Sequence, residues 1–197
     1  MNHKKLDQQA LDTLFLQARS QNGWQDTALP SGIFEQIYDL MKMGPTTANS
    51  CPARFVFVES DEAKQRLKVC LAEGNINKSM SAPAVVIIGM DLEFYEKLPE
   101  LFPHDDARSW FAGNDKKIEE NAFRNSSLQA AYFMLAARSL GLDCGPMSGF
   151  DYDKMNQTFF PGGKVKCNFI CAIGYGDKSK VYDRLPRLSF DTACQVL

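Results

Sequence analysis

At 197 residues, 45% apolar and 23% charged, the chain has the size and composition of one globular domain able to bury a core. A net charge of -2, with Lys, Arg, Asp and Glu interspersed, supplies no basic block for nucleic acid or an anionic membrane surface. The most apolar stretch, 82–90, is about half of a bilayer crossing, and the polar start Met-Asn-His-Lys-Lys has no signal-peptide core, so a cytosolic protein is expected.

Residues 6–19 carry helical spacing, with Leu6, Ala10, Leu11, Leu14, Phe15 and Ala18 on one side. A polar segment, 20–30, leads to a second amphipathic helix over 33–43, stopped by Gly44-Pro45. A strand is predicted at 54–59 and a helix at 61–71. The Val- and Ile-rich run 84–90 reads as a strand covered on both faces. A short helix at 93–98 precedes an irregular aromatic stretch, 102–114. The longest helix is expected over 115–140. Its second half, 128–140, is apolar nearly all round, which buries it on every side, in the core or at a subunit interface. A short strand at 142–147, a helix at 151–160, a Pro-Gly-Gly turn at 161–163 and an apolar strand at 165–174 follow. An extended tail over 177–186 leads to a last short segment at 191–197. Helices before and between strands indicate an α+β or three-layer α/β/α domain spanning 1–197.

Generic catalytic signatures are sparse. The six cysteines form no CxxC pair and lie mostly among apolar neighbours, so they are expected reduced and mostly buried. Only two histidines occur. With His3 in what reads as a tail, a zinc site or a Cys–His nucleophile would rest almost entirely on His104, and no metal is expected. Gly174-Tyr175-Gly176 lacks the third glycine and following helix of a dinucleotide fingerprint, and Gly162-Gly163-Lys164 lacks the spacing of a phosphate loop. Ser148 is not in a Gly-x-Ser-x-Gly elbow. The acidic cluster Asp105, Asp106, Glu119 and Glu120 reads as a solvated face. A chain with no obvious catalytic side chain suits an enzyme whose cofactor carries the chemistry.

Five segments, in order, resemble the FMN-binding segments of the nitroreductase family. Arg19-Ser20-Gln21-Asn22-Gly23-Trp24 is similar to its early Arg-Ser-x-Arg-x-aromatic signature, with Asn22 where the family usually has a cation. Guanidinium groups match phosphate bidentately, so arginine is the right chemistry for FMN. Gly44-Pro45-Thr46-Thr47-Ala48-Asn49-Ser50-Cys51-Pro52 resembles the family's Pro-Ser-x-x-Asn-x-Gln-Pro loop, with Cys51 replacing Gln. The resemblance implies that Pro45, Thr46, Thr47 and Asn49 line the flavin, in part from a second subunit. Asn75-Ile76-Asn77-Lys78 matches an Asn-x-x-Lys pattern whose Lys sits at the N1–C2 edge of the ring, where an ammonium stabilises negative charge. Gly145-Pro146-Met147-Ser148-Gly149-Phe150 resembles a Pro-x-x-Gly-Phe segment, implying that Met147, Ser148 and Gly149 approach N5 by their backbone. Many members carry an acidic residue where Ser148 stands. Arg187, with Arg184 as helper, fits the C-terminal phosphate clamp.

The resemblance implies a nitroreductase-like α+β fold with a central mixed sheet flanked by helices, an intertwined homodimer, FMN as cofactor and NADH or NADPH as co-substrate. Further stretches, including Phe102-Pro103-His104, Phe123-Arg124-Asn125-Ser126-Ser127 and Leu185-Pro186-Arg187-Leu188, are similar to the Rut-type branch, that of malonic semialdehyde reductase in pyrimidine catabolism. That likeness implies reduction of 3-oxopropanoate to 3-hydroxypropanoate. Arg108 would pair the substrate carboxylate, or instead form a surface ion pair with Asp105 or Asp106. The 102–111 segment would cover the exposed flavin face, where its aromatics, Trp110 and Phe111 at the substrate among them, could stack. A broad nitro- or quinone reductase, and a flavin-binding protein without turnover, are the rival readings.

Overall fold

Four strands organise the described residues, 4–197, of the computed structural model: β1 (Ala53–Val58), β2 (Ala84–Asp91), β3 (Asp143–Met147) and β4 (Val165–Gly174). His3 lies outside the described residues. The sheet order is β1-β2-β4-β3, and every pair is antiparallel. The expected mixed sheet is therefore corrected. Among the described residues, parallel pairing is confined to an isolated Ser20–Cys144 bridge, where the segment before Trp24 runs beside β3. The apolar run of β2 reports helices on both sheet faces, which an antiparallel strand can have as well as a parallel one.

Alternation along β2 divides the core. Ala84, Val86 and Ile88 face a layer built by α2 (Ile33–Met41) and α6 (Asp115–Ser139), through Ile37, Met41, Phe133 and Ala137. Val85 and Ile87 face the opposite layer, where Leu67 of α3 (Asp61–Lys68) and Met155 of α7 (Tyr152–Phe159) meet Ile170 and Ala172 of β4. Burying each such Val or Ile is worth about 1.5–3 kcal/mol, so this three-layer arrangement follows from the two strongest apolar runs in the sequence. A satellite cluster joins Phe94, Leu98, Phe111 and Ile118 below the short helix α5 (Leu98–Leu101).

Helix ends follow their caps. The Ser60 hydroxyl accepts from Ala63 N at 3.2 Å to start α3, and Asp151 accepts from Lys154 N at 3.0 Å to start α7. Asn114 caps α6, which ends before Gly141 at φ +83°. Two expectations shift. The helix over 6–19 is a short α1 (Gln8–Leu11) continued by a wide π-helical turn, Asp12–Leu16, and Leu6 and Phe15 are exposed rather than packed. A helix absent from the sequence reading, α4 (Glu73–Met80), carries the Asn75–Lys78 motif. The remaining short helix is α8 (Phe190–Ala193).

In α6 the all-round burial expected for 128–140 is one-sided in the single chain. Phe133, Ala136 and Ala137 are buried, whereas Leu128 and Tyr132, with Phe123 a turn or more earlier, are exposed. No described helix is long and apolar enough to cross a membrane.

Candidate functional site

The segment that pairs with β3 carries the first set of candidates. Gln21 N donates to Cys144 O at 3.0 Å, and Gln21 is buried while Arg19, Ser20 and Asn22 line a cleft of about 570 Å³. Gly145 permits this crossing, because a Cβ there would lie 2.8 Å from Gln21 O. The far wall is Tyr182, Asp183, Arg184, Leu185 and Arg187. Arg138 of α6, which the sequence reading missed, lines the same cleft. Its neighbours in sequence are apolar, so nothing local marked it.

The four guanidinium groups are pinned by backbone carbonyls. Arg19 donates to Tyr182 O, Arg184 to Leu16 O at 2.7 Å and Ala18 O at 3.2 Å, Arg187 to Leu185 O at 3.0 Å, and Arg138 to Leu14 O at 3.2 Å. A guanidinium has five N–H donors, so each fork keeps donors for an anion in the cleft. Asp183 is the one carboxylate on that wall.

A second group is tied to the first by a hydrogen bond. Trp24 Nε1 donates to Lys78 O at 2.8 Å, tying the arginine-bearing segment to α4. Asn75 and Lys78, three residues apart on α4, share one face. Asn75 Nδ2 donates to Gly149 O at 2.8 Å, and Ala72 N to the same oxygen at 3.1 Å, fixing the exit of β3. Ser148 is exposed, and with Pro146 and Met147 it borders a hollow of about 480 Å³ that also touches Phe123 and Tyr152. Met147 itself turns its sulfur into the core toward Ser79 Oγ at 3.7 Å, so only its backbone faces outward chemistry. Lys78 is half-buried, and burial pushes its ammonium below the ordinary lysine range. No salt bridge among the described residues engages it.

The third group is the 45–52 loop. Ala48, Asn49 and Cys51 adopt φ of 48°, 51° and 42°, a left-handed conformation costing about 1–2 kcal/mol at each non-glycine residue. Thr46 Oγ1 accepts from Cys51 N at 3.1 Å, Asn49 Nδ2 donates to Leu101 O at 3.0 Å, and Asn125 Oδ1 accepts from Thr47 N at 2.8 Å. Pro45, Thr47 and Asn49 are exposed and Thr46 half-buried. No hydrogen bond among the described residues joins this loop to the arginine cleft or to α4.

The 102–114 stretch corrects two expectations. Phe111 is 3% exposed and packs edge-on against Phe94 at 5.0 Å, so it belongs to the core rather than to an open flavin face. Arg108 does not pair Asp105 or Asp106. It forks onto Glu96 with bonds of 2.8 and 2.7 Å and lies over the Tyr95 ring. Trp110, 41% exposed, is the aromatic that remains available.

All six cysteines are free. Cys70, Cys144, Cys167 and Cys171 are buried, Cys51 half-buried and Cys194 exposed. Burial, with Cys70 beside it, pushes the Cys167 thiol up to about 12.

An arginine-lined cleft, a desolvated lysine and a glycine-bearing strand exit on a three-layer α+β frame define a class that comparison identifies. Residues 16–175 match the Nitroreductase family, and the chain belongs to that family. A Polynucleobacter asymbioticus protein provisionally named NADH dehydrogenase/NAD(P)H nitroreductase is 57% identical over 192 residues, covering 98% of each chain. Among solved structures, a provisionally assigned NAD(P)H:FMN oxidoreductase from Staphylococcus epidermidis superposes with TM-score 0.85 at 21% identity, covering 100% of both chains. A provisionally assigned nitroreductase from Exiguobacterium sibiricum in complex with FMN does so with TM-score 0.84 at 16% identity, again over 100% of both chains.

Proposed function

We propose that this chain is an FMN-dependent NAD(P)H oxidoreductase. The observation that carries the reading is the cleft in which Arg19, Arg138, Arg184 and Arg187 face a single carboxylate, on a segment that Trp24 ties to the backbone of α4 at Lys78. These residues fit FMN: a dianionic phosphate balances the excess guanidinium charge, with Ser20 and Asn22 as hydrogen-bonding neighbours. FMN, when bound, would supply the redox chemistry of a ping-pong hydride transfer between NAD(P)H and an acceptor. Lys78 places positive charge where the ring system gathers negative charge, and its partial desolvation strengthens that interaction. Ser148 and Gly149 would hold the flavin through their backbone, with the Gly149 carbonyl fixed by Asn75.

The loop bearing Pro45, Thr46, Thr47 and Asn49 is read as completing the site from a second subunit, in a homodimer. The exposed face of α6, with Phe123 at 55%, Leu128 at 45% and Tyr132 at 40%, supports that pairing. Light scattering of the FMN-loaded protein is expected to give a dimer, and a monomer that keeps FMN would sink this part of the reading. We read 1–197 as one such domain working in the reducing cytosol, consistent with six unpaired thiols.

For the acceptor, the reading is 3-oxopropanoate reduced to 3-hydroxypropanoate, with Trp110 beside it and Arg108 exchanging Glu96 for the substrate carboxylate. The relative named NAD(P)H nitroreductase supports a second reading, a broad nitro- or quinone reductase. Purified protein is expected to be yellow and to oxidise NAD(P)H with an acceptor. The ratio of kcat/KM for 3-oxopropanoate to that for a nitroaromatic separates the two acceptor readings. Arg108→Ala should raise KM for 3-oxopropanoate alone. Stopped-flow mixing with NADPH that leaves bound FMN unbleached would indicate a binding protein without turnover.

A further inference from the structure

Along α6, three buried amides stand four residues apart: Asn121 at 4%, Asn125 at 0% and Gln129 at 4% exposure. That spacing sets them on one helix face. Each meets the segment from Thr47 to Ala53. Asn121 Nδ2 donates to Ser50 Oγ at 3.4 Å, and Gln129 Oε1 accepts from Ala53 N at 2.9 Å. Between them, Asn125 Oδ1 accepts from Thr47 N at 2.8 Å while its Nδ2 reaches Thr47 Oγ1 at 3.3 Å. The Asn125 amide is oriented in turn by Asn121, whose backbone oxygen and Oδ1 accept at 2.8 and 3.0 Å.

Apolar side chains would fill these positions without the desolvation that a buried amide suffers. What the amides add is a fixed set of hydrogen bonds to one loop. That loop holds three non-glycine residues in the left-handed region, a conformation that persists only where the surroundings over-determine it. We propose that Asn125 is a positioning residue for the cofactor site: it holds the 46–51 loop in the one conformation that aims Thr46, Thr47 and Asn49 at the flavin. The inference rests on the flavin reading of that loop given above.

The test reads the loop and the cofactor separately. In a Cys194→Ser background, Cys51 is the thiol reporter inside the loop, and Cys70, Cys144, Cys167 and Cys171 are buried controls. Brief maleimide exposure followed by peptide mass spectrometry gives the labelling rate of each. Titration with FMN gives its dissociation constant. Asn125→Leu is expected to label at Cys51 about tenfold faster, with the four controls still protected, and to bind FMN about tenfold more weakly. Asn125→Asp keeps the acceptor for Thr47 N and should fall between the two. If the leucine variant does not fold, Asn121→Ala, which removes the side-chain acceptor that orients the Asn125 amide and lies outside the loop, carries the measurement with a smaller shift in the same direction. An unchanged Cys51 rate overturns the proposal, as does simultaneous labelling of the buried four, which marks a purely structural role. Faster Cys51 labelling with unaltered FMN affinity removes the loop from the flavin and so overturns the positioning role. It leaves the arginine-cleft reading standing, which fails only if the wild-type protein binds no FMN.

Discussion

Gly145→Ala tests how the arginine-bearing segment is seated on the sheet. The added Cβ would stand 2.8 Å from the backbone oxygen of Gln21 and 3.3 Å from Trp24 Cζ2. Reaching ordinary contact requires the segment to lift by roughly 0.6 Å, since packed interiors leave no slack for it. The Gln21 N–Cys144 O bond, now 3.0 Å, would then pass the range of a good hydrogen bond, a loss of about 1 kcal/mol. Displacing Trp24 strains its bond to Lys78 O and its packing, and overpacking of this kind costs about 1–3 kcal/mol. A destabilisation of about 2–4 kcal/mol follows, measured by urea unfolding. Because Arg19, Ser20 and Asn22 move with the segment, FMN affinity measured by fluorescence titration should fall about tenfold or more. Gly162→Ala is the control, since nothing lies within 4 Å of its added Cβ. Stability within about 0.5 kcal/mol of wild type, together with unchanged FMN affinity, would refute the seating argument.

Phe133→Ala should cost about 3–5 kcal/mol in chemical denaturation, because Phe133 is 1% exposed and stacks on Phe55 at 5.7 Å. Lys78→Met should flatten part of the pH dependence of apo-protein stability. Burial lowers the Lys78 pKa from 10.5, so its charged form penalises the folded state below that shifted value, and the penalty is relieved as pH rises toward 10.5. The same variant should weaken reduction by NAD(P)H, and a pH slope identical to wild type would count against a desolvated ammonium. Native alkylation near pH 8 should mark Cys194 and, more slowly, Cys51, while Cys167, at about 12, stays unreacted until the protein unfolds. Glu96→Gln should lower KM for 3-oxopropanoate and leave a neutral quinone unaffected. Equal effects on both acceptors would place the Glu96–Arg108 pair outside carboxylate recognition.

The sequence exposes the elements that packing alone decides. The run around Val85–Ile88 and the long helix before Gly141 are legible because apolar periodicity and caps agree there with the final fold. Strand direction was not, since double coverage leaves the same signature on parallel and antiparallel strands. Helix α4 was hidden because Gly74, Asn75, Asn77 and Ser79 are poor helix formers. It forms because Asn75, Lys78 O and Ser79 find partners in distant segments, which no local pattern encodes. The cleft residues Arg19, Ser20, Asn22, Arg184 and Arg187 came from a motif resemblance and the fold gathers them, whereas Arg138, embedded in an apolar stretch, is found by geometry. Phe111 shows the converse failure: an aromatic in a polar, irregular stretch reads as exposed, yet the satellite cluster takes it in.

The cleft also has a place in time. Its two walls touch through Arg19 and Tyr182, separated by 163 positions in the chain. A ribosome emits about 5–20 residues per second, so the first wall waits many seconds for the second. The sheet lies almost entirely between them and can assemble in that interval. On the proposed reading of the cleft, cofactor capture is therefore a late event of biogenesis. A chain interrupted ahead of Tyr182 would include all four strands and, on the proposed reading, lack the second wall of the phosphate cleft.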